Sequence, residues 1–223
     1  MQNLELSLRD ITALVLAGGR GSRMGGVDKG LQVFSDQPMA GHALRRLAQQ
    51  QGGPLARVLI NANRNVLAYQ TLGDTFLGPG NTQVLPDVVQ DYSGPLAGFG
   101  VGLTHCRTPL MLTVPCDSPL FPLDLAQRLL RALNAQQADI AMVHAPETDR
   151  AGQLRLRSQP VFCLLKASLH ADLLHYLAEG GRKIDDWTAR HTVVAVPFDS
   201  AGDSPHAFAN ANTLEDLQWL QAR

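Results

Sequence analysis

Apolar runs of strand length recur along the chain and alternate with stretches whose apolar residues return at helical spacing. The runs are Ile11 to Ala17, Ala56 to Asn61, Thr82 to Leu85, Leu110 to Val114, Ile140 to Val143 and Val193 to Val196, and the helical patterns are Met39 to Gln51, Leu96 to His105, Leu123 to Gln136, Lys166 to Glu179 and Thr213 to Gln221. Near-continuous apolar strands separated by helix-length connections predict an α/β fold with a mostly parallel central sheet, buried on both faces by helices. The last helix starts where Asn212 or Thr213 can cap it and where Glu215 and Asp216 complement the helix dipole. Residues 1 to 10 read as a short leader to the first strand. Glu147 to Ser158 is polar and carries Arg150, Arg155 and Arg157, so it reads as an exposed loop between strands, either solvated or in contact with an anionic substrate.

In open parallel sheets ligands bind beyond the carboxyl ends of the strands. The residues there are Leu16, Ala17 and Gly18 after the first strand, Asn61 after the second, Asp87 after the third and Asp117 after the fourth. Backbone groups at 16 to 18 can read a base edge, and Asn61 can bond a base or ribose. Asn and Asp also serve as ordinary turn caps, which leaves Asn61 and Asp87 with two readings at this point.

The first strand runs straight into LAGGRGSRMGGVDKGL, Leu16 to Leu31. Glycines there let backbone N–H groups approach phosphate oxygens, and Arg23 and Lys29 add fixed positive charge, which together describe a polyphosphate cradle. A Walker loop is excluded because Lys29 is followed by Gly30 rather than a hydroxyl residue. A dinucleotide fingerprint is excluded because Met24 stands where its third glycine belongs.

Asp117, in PCDSP, is a lone carboxylate on a proline-flanked turn at the end of a buried strand. It suits Mg2+, with Mn2+ as a substitute, because magnesium takes one or two protein carboxylates and completes its octahedron with water and substrate phosphates. Capping a helix that starts near Pro122 is the competing role. Asn210 or Asn212 could add a side-chain oxygen to the metal's surroundings.

The glycine-rich segment resembles the signature of nucleotidyltransferases with a Rossmann-like fold. Within that group RMGGVDKGL at 23–31, NANR at 61–64, DYSGPLAG at 91–98, PCDSP at 115–119 and NANT at 210–213 are similar to molybdenum cofactor guanylyltransferases, across almost the full chain. The resemblance implies a single-domain, three-layer Rossmann-like sandwich. It implies Mg-dependent transfer of GMP from GTP to the terminal phosphate of molybdenum-molybdopterin, with release of pyrophosphate. Arg23, Lys29 and Asp117 are then the catalytic residues, Asp117 the metal ligand, and Leu16, Ala17, Gly18, Lys29, Asn61, Asp87 and Asp117 the nucleotide contacts. An acceptor phosphate is already ionised near neutral pH, so no general base is required. Gly94 to Gly98 opens a helix and is either a structural turn or a backbone contact to nucleotide or pterin. Arg182 and Lys183 open a further helix and either meet a pterin phosphate or face solvent, while Trp187 and Phe208 are either stacking surfaces or core.

Sister activities share the scaffold: cytidylyl transfer to the same cofactor, and nucleotidyl transfer to sugar or cobinamide phosphates. A nucleotide-binding regulator without catalysis is a rival from another class, disfavoured by the joint presence of Arg23, Lys29 and Asp117. Composition adds exclusions. Nineteen Lys and Arg balance twenty Asp and Glu, which gives no bulk attraction for nucleic acid. Three separated cysteines, without a CxxC pair, read as reduced thiols rather than a zinc or redox centre. The expected protein is cytoplasmic and monomeric, without a membrane span. By resemblance it would make transient contacts with molybdenum-insertase and molybdoenzyme-maturation proteins.

Overall fold

The computed structural model describes residues 6–18, 28–87, 94–148, 153–211 and 213–222. Of the residues singled out above, 1–5, Arg23 with the rest of 19–27, 91–93, Arg150 and Asn212 lie outside that set.

Seven strands form the main sheet in the order β5-β4-β1-β6-β8-β7-β9. They are β1 (Ile11–Leu16), β4 (Arg57–Asn61), β5 (Thr82–Leu85), β6 (Leu110–Pro115), β7 (Ile140–Thr148), β8 (Leu154–Lys166) and β9 (Val193–Pro197). All but β8 run in one direction; β8 is antiparallel to both β6 and β7. A short hairpin, β2 (Val33–Phe34) with β3 (Gln37–Pro38), follows the first turn after Asp28. The helices are α1 (Met39–Ala48), α2 (Val66–Leu77), α3 (Pro95–His105), α4 (Leu125–Gln136), α5 (His170–Ala178), α6 (Ile184–Thr188) and α7 (Leu214–Gln221).

Alternation along the buried strands divides the core between the two faces of the sheet. Ile11, Ala13, Val15, Leu110, Leu112 and Val114 point to one face and pack with α1 and α4. Leu14, Leu59, Met111, Cys163 and Leu165 point to the other and pack with α3, α5 and α6. The result is the expected three-layer α/β sandwich. A third, smaller cluster joins Phe34 and Met39 to Ala211, Leu217 and Leu220, so α7 closes over the region that follows Lys29. Its start is the predicted cap: Thr213 Oγ1 accepts from Asp216 N (3.1 Å) and Thr213 N donates to the Asp216 carboxylate (2.9 Å).

Several expectations are corrected. Glu147 to Ser158 is not a loop between strands: β7 runs to Thr148 and β8 begins at Leu154, with Glu147 opposite Arg155 and Thr148 opposite Leu154. This outer part of the ladder is exposed on both sides, so it lacks the apolar alternation that marks a half-buried strand. The helix assigned to Lys166–Glu179 is shorter, since β8 ends at Lys166 and a 3-10 turn at Ala167–Leu169 precedes α5. Helix α2 has no sequence-based counterpart. Its apolar positions do not form one stripe, because Leu67 is 80% exposed while Tyr69 is fully buried. Gly73 in its interior, a poor helix former, lies against Thr82 of β5 where a Cβ could not fit. Among the described residues no helix is long and apolar enough to cross a membrane.

Candidate active site

The parallel register brings the strand ends into line: Leu16 is paired with Asn61 on one side and Pro115 on the other, and Asn61 with Leu85. The ladder continues one residue further through Ala17 N to Asn61 O (2.8 Å), Ala62 N to Leu85 O (3.0 Å) and Cys116 N to Leu16 O (3.1 Å). Gly18, Asn61, Asp87 and Asp117 therefore emerge along a single edge. They form two groups, one around Asp87 and one around Asp117.

In the first group the Asp87 carboxylate accepts from Asn61 Nδ2 (2.8 Å) and Asn63 Nδ2 (2.7 Å), and Asp87 N donates to Asn63 Oδ1 (2.7 Å). Asn61 Nδ2 also reaches Leu85 O (3.2 Å). Asn61 and Asp87 are thus partners rather than separate turn caps. Asn63, not singled out beforehand, completes the arrangement through the second asparagine of NANR. Two glycines make room for it: a Cβ on Gly18 would lie 3.1 Å from Asn61 Oδ1, and one on Gly98 would lie 2.6 Å from the same oxygen and collide with Leu16. Gly98 is in the first turns of α3, and Gly94, at φ +118°, sets the entry to that helix.

In the second group Lys29 Nζ stands 3.5 Å from Asp117 Oδ2, with both side chains about one-fifth exposed. Burial holds the Asp117 carboxyl above its ordinary pKa, and the nearby Lys29 ammonium pulls in the opposite direction without cancelling it. A carboxylate kept short of hydration gains more than an exposed one from a nearby cation. Asp117 does not cap α4, whose N-cap is Asp124. Its turn is fixed by α1 as well as by proline: the Arg46 guanidinium donates to Pro119 O and Phe121 O (2.9 Å each), and Gln50 Nε2 donates to Pro122 O (3.2 Å). Behind it, the fully buried Ser118 hydroxyl donates to Asn210 Oδ1, and Ala211 N donates to Asp117 O (2.9 Å). Asn210 is therefore held next to the residue bonded to Asp117, with one lone pair of its side-chain oxygen committed to Ser118.

Asp28, preceding Lys29, is a buried carboxylate that sequence reading passed over. It accepts from Tyr69 Oη (2.5 Å) and Asn65 Nδ2 (2.9 Å), and lies 3.8 Å from Arg64 Nε. Tyr69 reaches it by passing under Gly30, where a Cβ would collide with the phenol oxygen and lie 3.1 Å from Cys116 Sγ. Burial and the Asp117 charge push the Cys116 thiol up, so it stays protonated at neutral pH and is no nucleophile.

Trp187 and Phe208 are core. Trp187 is fully buried, edge-on to Phe99, with its indole N–H on Asp172, and Phe208 packs edge-on to Phe162 and Phe198. Arg182 donates to the carbonyls of Leu177 and Gly181, and Lys183, 81% exposed, lies 4.0 Å from Asp186.

The donor set fits the expected cation. Among the described residues no three His, Cys, Asp or Glu side chains converge as a metal cage. A single oxygen anion, the Asp117 carboxylate, suits a hard divalent ion that draws its other ligands from water and phosphate.

A family model described as a MobA-like NTP transferase domain matches residues 13–220. The molybdenum cofactor guanylyltransferase of Albidiferax ferrireducens is 56% identical over 213 residues, covering 96% of both chains. That of Ralstonia nicotianae is 56% identical over 214 residues, 96% of this chain and 97% of its own. Among solved structures, molybdopterin-guanine dinucleotide biosynthesis protein A from Archaeoglobus fulgidus superposes with a TM-score of 0.70 at 19% identity, covering 95% of this chain and 97% of its own, a likeness of fold.

Proposed function

We infer the function from one premise: the chain belongs to the MobA-like NTP transferase family. Its close relatives carry the name molybdenum cofactor guanylyltransferase over nearly their whole length, and the same activity is the reading for this chain. It transfers GMP from GTP to molybdopterin, making the guanine dinucleotide cofactor and releasing pyrophosphate. The observation that carries the chemistry is the meeting of Lys29 and Asp117 at the carboxyl edge of the sheet, 3.5 Å apart beside the end of β1.

The reaction is an in-line displacement in which an acceptor phosphate oxygen attacks the α-phosphorus of GTP. The enzyme's task is to hold two anions together and to stabilise the charge that builds on the leaving pyrophosphate. Lys29 supplies a fixed ammonium for the phosphates. Asp117, with Asn210 beside it, would hold Mg2+, which when bound neutralises phosphate charge and aligns the phosphoryl oxygens. Asn61 and Asn63 hold the Asp87 carboxylate in place through one hydrogen bond to each oxygen. Remaining lone pairs on that carboxylate can accept from adjacent N–H donors, which the edge of guanine presents and that of cytosine does not. None of these steps requires a protein base.

The test is pyrophosphate release from each of the four nucleoside triphosphates with Mg2+, with and without molybdopterin. Release from GTP alone, dependent on molybdopterin, is the expected result. Preference for CTP, or release that depends on a sugar phosphate instead, would overturn it.

A further inference from the structure

A cleft of about 370 Å³ lies between the outer β7–β8 ladder and the segment leading into α7. Glu147, Gln159, His206, Phe208, Asn210 and Trp219 contribute to its wall. Its volume is in the range of small-molecule sites. It reaches the catalytic edge through Asn210, which accepts from Ser118 and precedes the residue bonded to Asp117. A molecule lying in the cleft would therefore reach from Glu147 to Asn210, whose neighbour Ala211 is bonded to Asp117.

The wall has two chemical characters. Trp219 on α7 is 43% exposed and meets His206 edge-on, ring centroids 4.8 Å apart, which offers a flat aromatic surface. The same wall holds a carboxylate and an amide, and among the described residues neither the Glu147 nor the Gln159 side chain has a hydrogen-bond or ion-pair partner. A planar heterocycle with two adjacent N–H donors and a neighbouring carbonyl matches this set. The carboxylate would accept from both N–H groups, the amide would bond the carbonyl, and the indole would lie along the ring.

We propose that this cleft seats the aminopyrimidinone ring of the pterin acceptor, with Glu147 and Gln159 reading its edge and Trp219 packing on its plane, so that the acceptor phosphate emerges beside Asp117. This rests on the transferase reading above. Guanine carries the same donor edge, so the two substrates share the chemistry and only one of them can own the cleft. The Asp87 carboxylate on the other side of β1 serves the nucleotide, which leaves Glu147 to the acceptor.

Binding is followed by indole fluorescence with 6-hydroxymethylpterin as the probe, since Trp219 is partly exposed and the other tryptophan, Trp187, is fully buried. Saturable quenching in the unaltered protein, lost in Trp219→Phe and weakened about tenfold or more in Glu147→Gln, is expected. In steady state Glu147→Gln should raise KM for molybdopterin by a similar factor and leave KM for GTP unchanged. A rise in KM for GTP instead would assign the cleft to the nucleotide. Quenching and both KM values unchanged in Glu147→Gln would remove the cleft from catalysis. Either result overturns the proposal while molybdopterin-dependent release from GTP in the unaltered protein stands. Loss of that dependence would instead sink the transferase reading.

Discussion

The Tyr69 hydroxyl donates to Asp28 at 2.5 Å from beneath Gly30, and this buried pair sits directly behind the lysine that faces Asp117. Asp28 is 8% exposed, so its charge is stabilised by the phenol, by Asn65 and by the Arg64 guanidinium rather than by water. Tyr69→Phe removes one donor and keeps the ring. The expected cost is about 1.5–3 kcal/mol, read as a Tm fall of roughly 4–10 °C for a chain of this size. Nucleotide affinity should fall with it, because the turn that presents Lys29 loses its anchor. An unchanged Tm and unchanged GTP binding in titration calorimetry would show that the pair is incidental.

Asp117→Asn separates function from stability. Burial disfavours the Asp117 charge more than Lys29 favours it, so a neutral isostere should leave Tm equal to or above the parent. Magnesium-dependent transfer should be abolished. Lys29→Ala, by contrast, should weaken GTP binding and turnover together. Full activity in Asp117→Asn would take Asp117 out of the metal site.

Gly98→Ala tests the other half of the edge. Its Cβ would come within 2.6 Å of Asn61 Oδ1, so Asn61 must move and its bond to Asp87 must lengthen or break. KM for GTP should rise by about tenfold, with the acceptor KM unchanged. Steady-state kinetics with each substrate varied in turn would detect the opposite pattern.

Acid sensitivity should reside in the clamp between α4 and the loop after β9. The Arg128 guanidinium donates to both Asp203 oxygens (2.6 and 3.1 Å) and lies 3.7 Å over the Phe198 ring. This hydrogen bonding holds the Asp203 carboxyl below its ordinary pKa. A lowered carboxyl pKa stabilises the fold above the unfolded value, near 3.9, and that contribution disappears as pH falls through the folded value. Asp203→Asn should therefore cost about 1–2 kcal/mol at pH 7, and the gap from the parent should close below about pH 4. A Tm difference that stays constant from pH 7 to pH 3 would mean that the ion pair contributes nothing.

The legible parts of this fold are those in which one physical signal acts alone. The buried parallel strands read directly because both faces are covered, and with them the carboxyl edge that carries Asn61, Asp87 and Asp117, while Lys29 is legible from the glycine-rich segment behind the first strand. Helix α2 and the outer β7–β8 ladder escaped for opposite reasons. Leu67 breaks the helical stripe by facing solvent, and Gly73 looks like an interruption but is an accommodation to Thr82. Leu154 and Leu156 are exposed on an arm that buries neither side fully, so periodicity has nothing to report. Asp28 and Asn63 were missed because their roles are relational. A buried carboxylate is indistinguishable from a surface one until Tyr69 and Asn65 are known to converge on it, and the second asparagine of NANR has meaning only once Asp87 is beside it.

The cluster that joins Phe34 and Met39 to Leu217 and Leu220 also sets a timetable. Asn210, Ala211 and α7 complete the surroundings of Asp117 and Lys29 from more than 90 residues further along the chain, so a growing polypeptide can form β1 to β6 and still lack an assembled centre. The surroundings of Asp117 and Lys29 are therefore complete only when the segment from Asn210 through α7 packs back onto the region that follows β1.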